Sequence, residues 1–394
     1  MTRTNRCGAA SVIATSALAG MLAFAQTSVQ PLRTQPTEKL TLKAGFRDWS
    51  PVTITGTTIL GGNQTGAGGM FAFDATSGKL KWTFRPVFHG TASVSTAPAV
   101  SGGTAIAAFS SGSPGAVIAV SLATGKEVWR AAEPDMDAAV VTNAGLAYFL
   151  SKTGTFYALD AATGRETWKA ALTSKGAPCA SSPIVSEDTV YFTGSDAATP
   201  GDAKKPQGYY LFAFDAKTGK EQWRYRAEAP YVNAGVCLHQ PVLSGDTIYG
   251  AGENFLFAIN RTTGRDRWKP FEVRRPVEGR DRAVDVMSLV DAGPVLMGIT
   301  SVSLIAFDKA TGKTAWELPG TYAEGTKNMA TAGDVLYFQG ASTRGTLHAL
   351  DLKTHSILWS FSRPTAEPNW PFGHITPVDG ALWVDSYQAL VKLQ

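Results

Sequence analysis

With 394 residues and 44% hydrophobic side chains, the chain is long enough to bury a large core, and 17% charged residues is too few for a disordered or long helical protein. A formal net charge of +4, spread along the chain, leaves no electrostatic footprint for nucleic acid. The 40 glycines and 21 prolines point instead to many short strands joined by turns.

The first 25 residues read as an export signal. Arg3 and Arg6 form a basic start, an Ala-rich apolar run follows, and Ala23-Phe24-Ala25 supplies the small-x-small pattern of a cleavage site. A retained membrane anchor is the alternative, although the run is barely long enough to span. Cys7 precedes the apolar run, so no lipid anchor is indicated. Residues 26–37 are polar, carry prolines and have no apolar period, so they are expected to form a flexible leader. The sequence EKLTLKAG at 38–45 is a strand candidate with no hairpin of its own.

From Phe71 onward one unit recurs. Segments such as FAFDATSGKLKW, YALDAATGRETW and IAFDKATGKTAW end at Trp82, Trp129, Trp168, Trp223, Trp268, Trp316 and Trp359. Eight residues before each stands Asp74, Ser121, Asp160, Asp215, Asn260, Asp308 or Asp351. Four before each stands a glycine, except at His355. Alternation such as Phe-x-Phe marks a half-buried strand. Asp-x-x-Thr-Gly is turn chemistry, in which a side-chain oxygen accepts backbone N–H bonds and glycine supplies a positive φ. The next strand ends on an indole, whose large surface needs a dry partner. His355 must either adopt the left-handed conformation or use another turn.

Another strand pair precedes each hairpin, as in SSPIVSEDTVYFTGS and NMATAGDVLYFQGAS, so each unit is four antiparallel strands. Tryptophan spacings of 47, 39, 55, 45, 48 and 43 fit one propeller blade per unit. After Trp359 the chain holds three further strands and no outer one. The strand at 38–45 would complete that set and remove two exposed edges. The expected fold is therefore all-β: an eight-bladed β-propeller in one domain, residues 38–394, with seven blades as the alternative.

The repeat resembles that of the PQQ-dependent quinoprotein alcohol dehydrogenases and of the BamB-like outer-membrane assembly scaffolds, over about residues 40–394. For the enzymes, the resemblance implies a longer chain, adjacent cysteines over the cofactor, and a Glu, Asn and Asp set around Ca²⁺. This chain is shorter and has no Cys-Cys pair. For the BamB-like proteins, it implies a similar length, a cleaved signal, no catalytic residues and no cofactor. Their lipidation signal is the feature missing here. The resemblance thus implies a non-catalytic, exported scaffold that binds envelope or outer-membrane proteins in the periplasm or outside the cell. A PQQ-binding redox enzyme or sensor is the alternative.

Functional candidates lie on the face opposite the Thr-Gly turns, where the connections are long and varied. The largest insertion, 193–208, falls there. Arg274, Arg275, Arg280, Asp281, Arg282 and Asp285 cluster in one connection and suit a carboxylate-bearing partner, or else compensate one another in solvent. Trp370, Phe372 and His374 form an aromatic group that either anchors a partner or plugs the funnel, and His89 and His239 reach the same rim. Asp135, Asp137, Asp281 and Asp285 are the acids available to a ligand-binding funnel. Five histidines without regular spacing give no metal motif. Cys179 and Cys237 each lie four residues before a proline, Pro183 and Pro241, and so occupy equivalent positions in consecutive blades. In an exported chain they are expected to form a disulfide. The test is alkylation of denatured, unreduced mature protein: the two thiols should stay unmodified, and a mass gain of two adducts would refute the bridge.

Overall fold

The structure, a computed structural model, describes residues 29–43, 49–64, 68–88, 92–110, 115–133, 139–151, 154–172, 181–195, 209–226, 239–252, 254–320, 328–339, 346–362, 373–385 and 389–394. Among these, every regular element is a β-strand. Eight four-stranded antiparallel sheets follow one another: blade 1 (53–84), blade 2 (99–133), blade 3 (141–171), blade 4 (184–226), blade 5 (242–272), blade 6 (286–319), blade 7 (329–361) and blade 8. Blade 8 combines Ile375–Val378, Ala381–Asp385 and Leu390–Leu393 with Glu38–Leu42 as its outer strand. The eight-bladed propeller is the observed architecture, and the seven-bladed alternative is excluded.

Burial follows position in the blade. Middle strands such as Thr104–Phe109 are buried along their whole length, because neighbouring blades cover both faces. The outer strand Glu221–Arg226 alternates between half-buried and exposed residues. The described core accordingly divides into eight apolar clusters, one at each seam between blades.

The Asp-x-x-Thr-Gly turn works through its aspartate. In blade 3, Asp160 Oδ1 accepts from Thr163 Oγ1 at 2.7 Å, Thr163 N at 2.8 Å and Ala162 N at 3.1 Å. These bonds hold its carboxyl below the usual carboxylate range, led by the Thr163 hydroxyl. A bulge then aims the indole across the seam: Ala158 faces Trp168 while Leu159 faces Glu166, so Thr167 is left over.

Each seam joins an indole to the next blade's turn. Trp82 Nε1 donates to Leu122 O (2.9 Å), Trp129 to Ala161 O (3.0 Å), Trp168 to Ala216 O (3.0 Å), Trp223 to Arg261 O (3.0 Å) and Trp268 to Lys309 O (3.3 Å). Each acceptor is the residue just after the turn's Asp, Ser or Asn. The indole also covers the turn glycine. A Cβ on Gly219, whose φ is +71°, would lie 2.5 Å from the Trp168 ring. His355 takes the left-handed option, with φ +55°, and stacks on Trp316 with ring centroids 4.2 Å apart.

A second donor, absent from the sequence reading, shares several of these carbonyls. Tyr148 Oη donates to Ala216 O at 3.0 Å, Tyr191 to Arg261 O at 3.4 Å and Tyr249 to Lys309 O at 3.1 Å. Burial pushes the Tyr148 phenol up to about 12, so it stays protonated and can donate.

Residues 29–37, expected to be a flexible leader, are docked over the seam between blades 7 and 8. Leu32 is 7% exposed, and its carbonyl accepts from Trp359 Nε1 at 3.0 Å. The expectation failed because one buried leucine and one buried proline leave no apolar period to read.

The shared carbonyls predict coupling. Trp168→Phe and Tyr148→Phe should each cost on the order of 1 kcal/mol beyond packing changes. The double variant should cost more than their sum, because the buried Ala216 carbonyl then has neither donor. Denaturant melts of all four proteins measure this, and strict additivity would refute it.

Candidate functional site

The two ends of the ring differ. One carries the short first-to-second and third-to-fourth strand turns. The other carries the second-to-third loops and all the blade-to-blade connections. Trp370, Phe372, His89, Asp135, Asp137, Cys179, Cys237 and residues 196–208 of the insertion lie outside the described residues.

The connection from blade 5 to blade 6 is described throughout, and it folds into a separate two-stranded sheet, Arg274–Val277 with Arg280–Ala283. Glu278 and Gly279 at its tip have φ of +52° and +73°, the signs of a type I′ turn, which suits a two-residue hairpin. Arg274 bonds Asp281 Oδ2 at 2.7 Å and Glu272 Oε2 at 2.6 Å; Arg275 bonds Glu317 Oε2 at 2.9 Å. These pairs brace the hairpin against blades 5 and 6. Arg282 lies 3.7 Å from Glu278, and among the described residues Arg280 enters no ion pair. Arg280, Asp281, Arg282 and Ala283 are all exposed, as is Asp285. Arg274, Arg275 and Asp281 are thus compensated within the hairpin and its flanking blades, while Arg280 and Arg282 face solvent.

His374 and His239 both lead into innermost strands. His239 donates its backbone N–H to Ala251 O at 2.9 Å and is half-buried. His374 sits in a tighter arrangement with Asp385, which the sequence reading did not single out. Its Nδ1 lies 3.3 Å from Asp385 Oδ2, and its backbone N–H donates to Asp385 Oδ1. The two side chains are 10% and 8% exposed. Gly373 makes this possible, since a Cβ there would lie 2.3 Å from Asp385 Oδ2. His374 Nε2 is buried without a hydrogen-bond partner. Asn328 Nδ2 donates to Gly373 O at 2.9 Å, and its Oδ1 is likewise buried without a partner. His374 and Asp385 face each other across one hairpin, a pairing readable from strand register alone.

Among the described residues no group of three or more His, Cys, Asp or Glu is placed to hold a metal ion. Two carboxylates are buried. Asp351 belongs to an outer turn, and both oxygens of Asp385 are engaged by His374. Among the described residues, and with no adjacent cysteines in the sequence, the Ca²⁺-bound PQQ set that the resemblance to the quinoprotein enzymes implies is not matched.

The family profile described as outer membrane protein assembly factor BamB matches residues 8–132 and 113–361. The chain belongs to this family. An outer membrane protein assembly factor BamB from Kangiella koreensis is 28% identical over 150 residues, 36% of each chain. The match therefore spans about a third of that relative. A quinohemoprotein alcohol dehydrogenase from Pseudomonas putida is 31% identical over 120 residues, 27% of this chain and 17% of the enzyme. The BamB structure from Moraxella catarrhalis superposes with a TM-score of 0.63 at 16% identity, covering 92% of this chain and 98% of that one. That likeness speaks to the fold.

The site separates structural from surface polar groups. Asp385→Ala strands the buried His374 N–H and ring, and should cost about 2 kcal/mol. Arg280→Ala should stay within about 0.5 kcal/mol. Thermal or denaturant melts decide, and equal costs would refute the assignment.

Proposed function

We propose that the protein is an exported, non-catalytic scaffold of the cell envelope that acts in outer-membrane protein assembly, with the loop-bearing end of the ring as its working face. Family membership supports the process. The observation that carries the reading is the blade 5–6 hairpin, a braced two-stranded sheet that holds Arg280 and Arg282 in solvent.

Its physical chemistry suits a protein partner. Internal ion pairs fix the hairpin in place, so little conformational entropy is lost on docking. Among the described residues its strands pair only with each other, leaving main-chain edges for an extended segment to join. The two solvent-facing guanidiniums favour a partner that offers carboxylates. Trp370, His239 and His374, together with the varied connections around them, are assigned to the same face, and Cys179–Cys237 to its covalent bracing.

The PQQ-binding reading retains the support of the shared repeat, and one experiment separates the two. A photocrosslinker at position 280 in a host with an outer membrane should yield an adduct with an outer-membrane assembly component. Arg280→Glu with Arg282→Glu should weaken capture of that component at least tenfold. Absence of an envelope adduct, or a saturable tryptophan-fluorescence change on titrating PQQ with Ca²⁺, would overturn the proposal.

A further inference from the structure

Blade 8 has no Asp-x-x-Thr-Gly turn, because its outer strand comes from the other end of the chain. Blade 7 therefore lacks the usual acceptor for its tryptophan. The backbone of residues 29–37 fills that place, with contacts that amount to recognition of a short peptide. Tyr337 Oη accepts from Leu32 N at 2.7 Å and lies 3.4 Å from Leu32 O, which Trp359 Nε1 also reaches at 3.0 Å. The Leu32 side chain is buried in the apolar cluster of blades 7 and 8, which includes Ala332, Tyr337, Trp359 and Leu382. The Arg33 guanidinium spans two carboxylates, Asp334 at 2.7 Å and Asp351. Gln35 Nε2 donates to Ser360 O at 3.1 Å, and Gln30 O accepts from Gly380 N at 2.8 Å.

Among residues 29–37 only Leu32 and Pro36 are buried, and the segment forms neither helix nor strand. The Arg33 side chain remains 41% exposed. At the five seams described above, by contrast, the acceptor belongs to a turn embedded in its own blade. The blade 7–8 seam is the one closed by a separable piece of chain.

We propose that this seam is a peptide-binding site for a partner segment in which an apolar residue is followed by arginine, and that residues 29–37 are its occupant in cis. The selectivity follows from the parts. Trp359 and Tyr337 read one peptide unit, the cluster reads the apolar side chain, and the Asp334–Asp351 pair reads the guanidinium bidentately. The occupant in cis competes at an effective concentration on the order of millimolar, so a partner segment enters only when the strap is released or outcompeted. This site is independent of the blade 5–6 hairpin, and each proposal can fail without the other.

The probe is a fluorescent synthetic peptide with the sequence of residues 28–37, SVQPLRTQPT. The full chain carrying Leu32→Asp with Arg33→Ala should bind it saturably, at least tenfold more tightly than the wild type, whose seat is filled. Replacing the peptide's arginine by alanine, or Asp334→Asn in the protein, should weaken binding at least tenfold. A folded double variant, judged by circular dichroism, that does not bind the peptide would overturn the proposal, as would equal binding of the alanine peptide. If the double variant does not fold, Arg33→Ala alone should still bind more tightly than wild type, and equal affinity would overturn the proposal. Sedimentation of the wild type across concentrations should show a constant mass. A dimer that grows with concentration and vanishes in Arg33→Ala would assign the seat to a second copy instead of a partner.

Discussion

An indole N–H reaching a backbone carbonyl of the next blade is the contact on which the ring depends. A propeller blade is a sheet with two apolar faces, and it is stable only between neighbours that cover both. Burying an indole removes a large apolar surface from water, and its N–H then needs an acceptor in the dry seam. The turn after each Asp supplies one at a fixed place, so packing and hydrogen bonding specify the same inter-blade register. Tyr148, Tyr191 and Tyr249 strengthen that link at three consecutive seams by donating to the carbonyl's other lone pair. The three seams beyond the five regular ones, 6–7, 7–8 and 8–1, depart from the pattern. His355 stacks on Trp316 in place of a glycine, and Leu40 and Leu42 cover Gly78 where no tryptophan is available.

What the sequence reveals and hides follows from which residues repeat. The seven Trp-docking hairpins are legible because turn and indole recur at fixed offsets without gaps. The eighth blade is legible because three orphan strands at one end need a fourth. The seam tyrosines are hidden although they sit at matching positions in four blades. For Tyr148, Tyr191 and Tyr249 the role depends on a carbonyl 60 to 70 residues away, and for Tyr337 on Leu32. The hairpin at Arg274–Ala283 reads as a charged connection because arginines dominate it; besides its ion pairs, Val277 packs on the apolar cluster between blades 5 and 6. Among the candidate site residues, His374 was visible as a rim histidine. Its partner Asp385 emerges only once strand register brings the two together.

The same accounting explains why the repeat identifies the fold and leaves the activity open. At the five regular seams the motif residues are committed to structure: the aspartate, serine or asparagine to its turn, the glycine to the indole above it, and the tryptophan to the next carbonyl. Away from the blade 7–8 seam, the described residues open to another molecule lie outside the motif, at the blade 5–6 hairpin and around the loop-bearing ends of the innermost strands. Family membership and a quinoprotein relative sharing the repeat are therefore compatible, since both rest on the same structural residues.

Blade 8 joins the two ends of the chain, with Glu38 opposite Leu393 and Leu42 opposite Leu390. This pairing makes ring closure the last event available to a newly made chain. Seven blades can form as they emerge, each supported by the one before it, yet the outer strand of the eighth must wait for Leu390–Leu393. Until then blade 1 presents an uncovered apolar face and the chain remains open. Closing so long a loop costs entropy only logarithmically in its length, so the delay arises from synthesis order and not from an energetic obstacle. Until Leu390–Leu393 are made the ring stays open, however many of the earlier blades have formed.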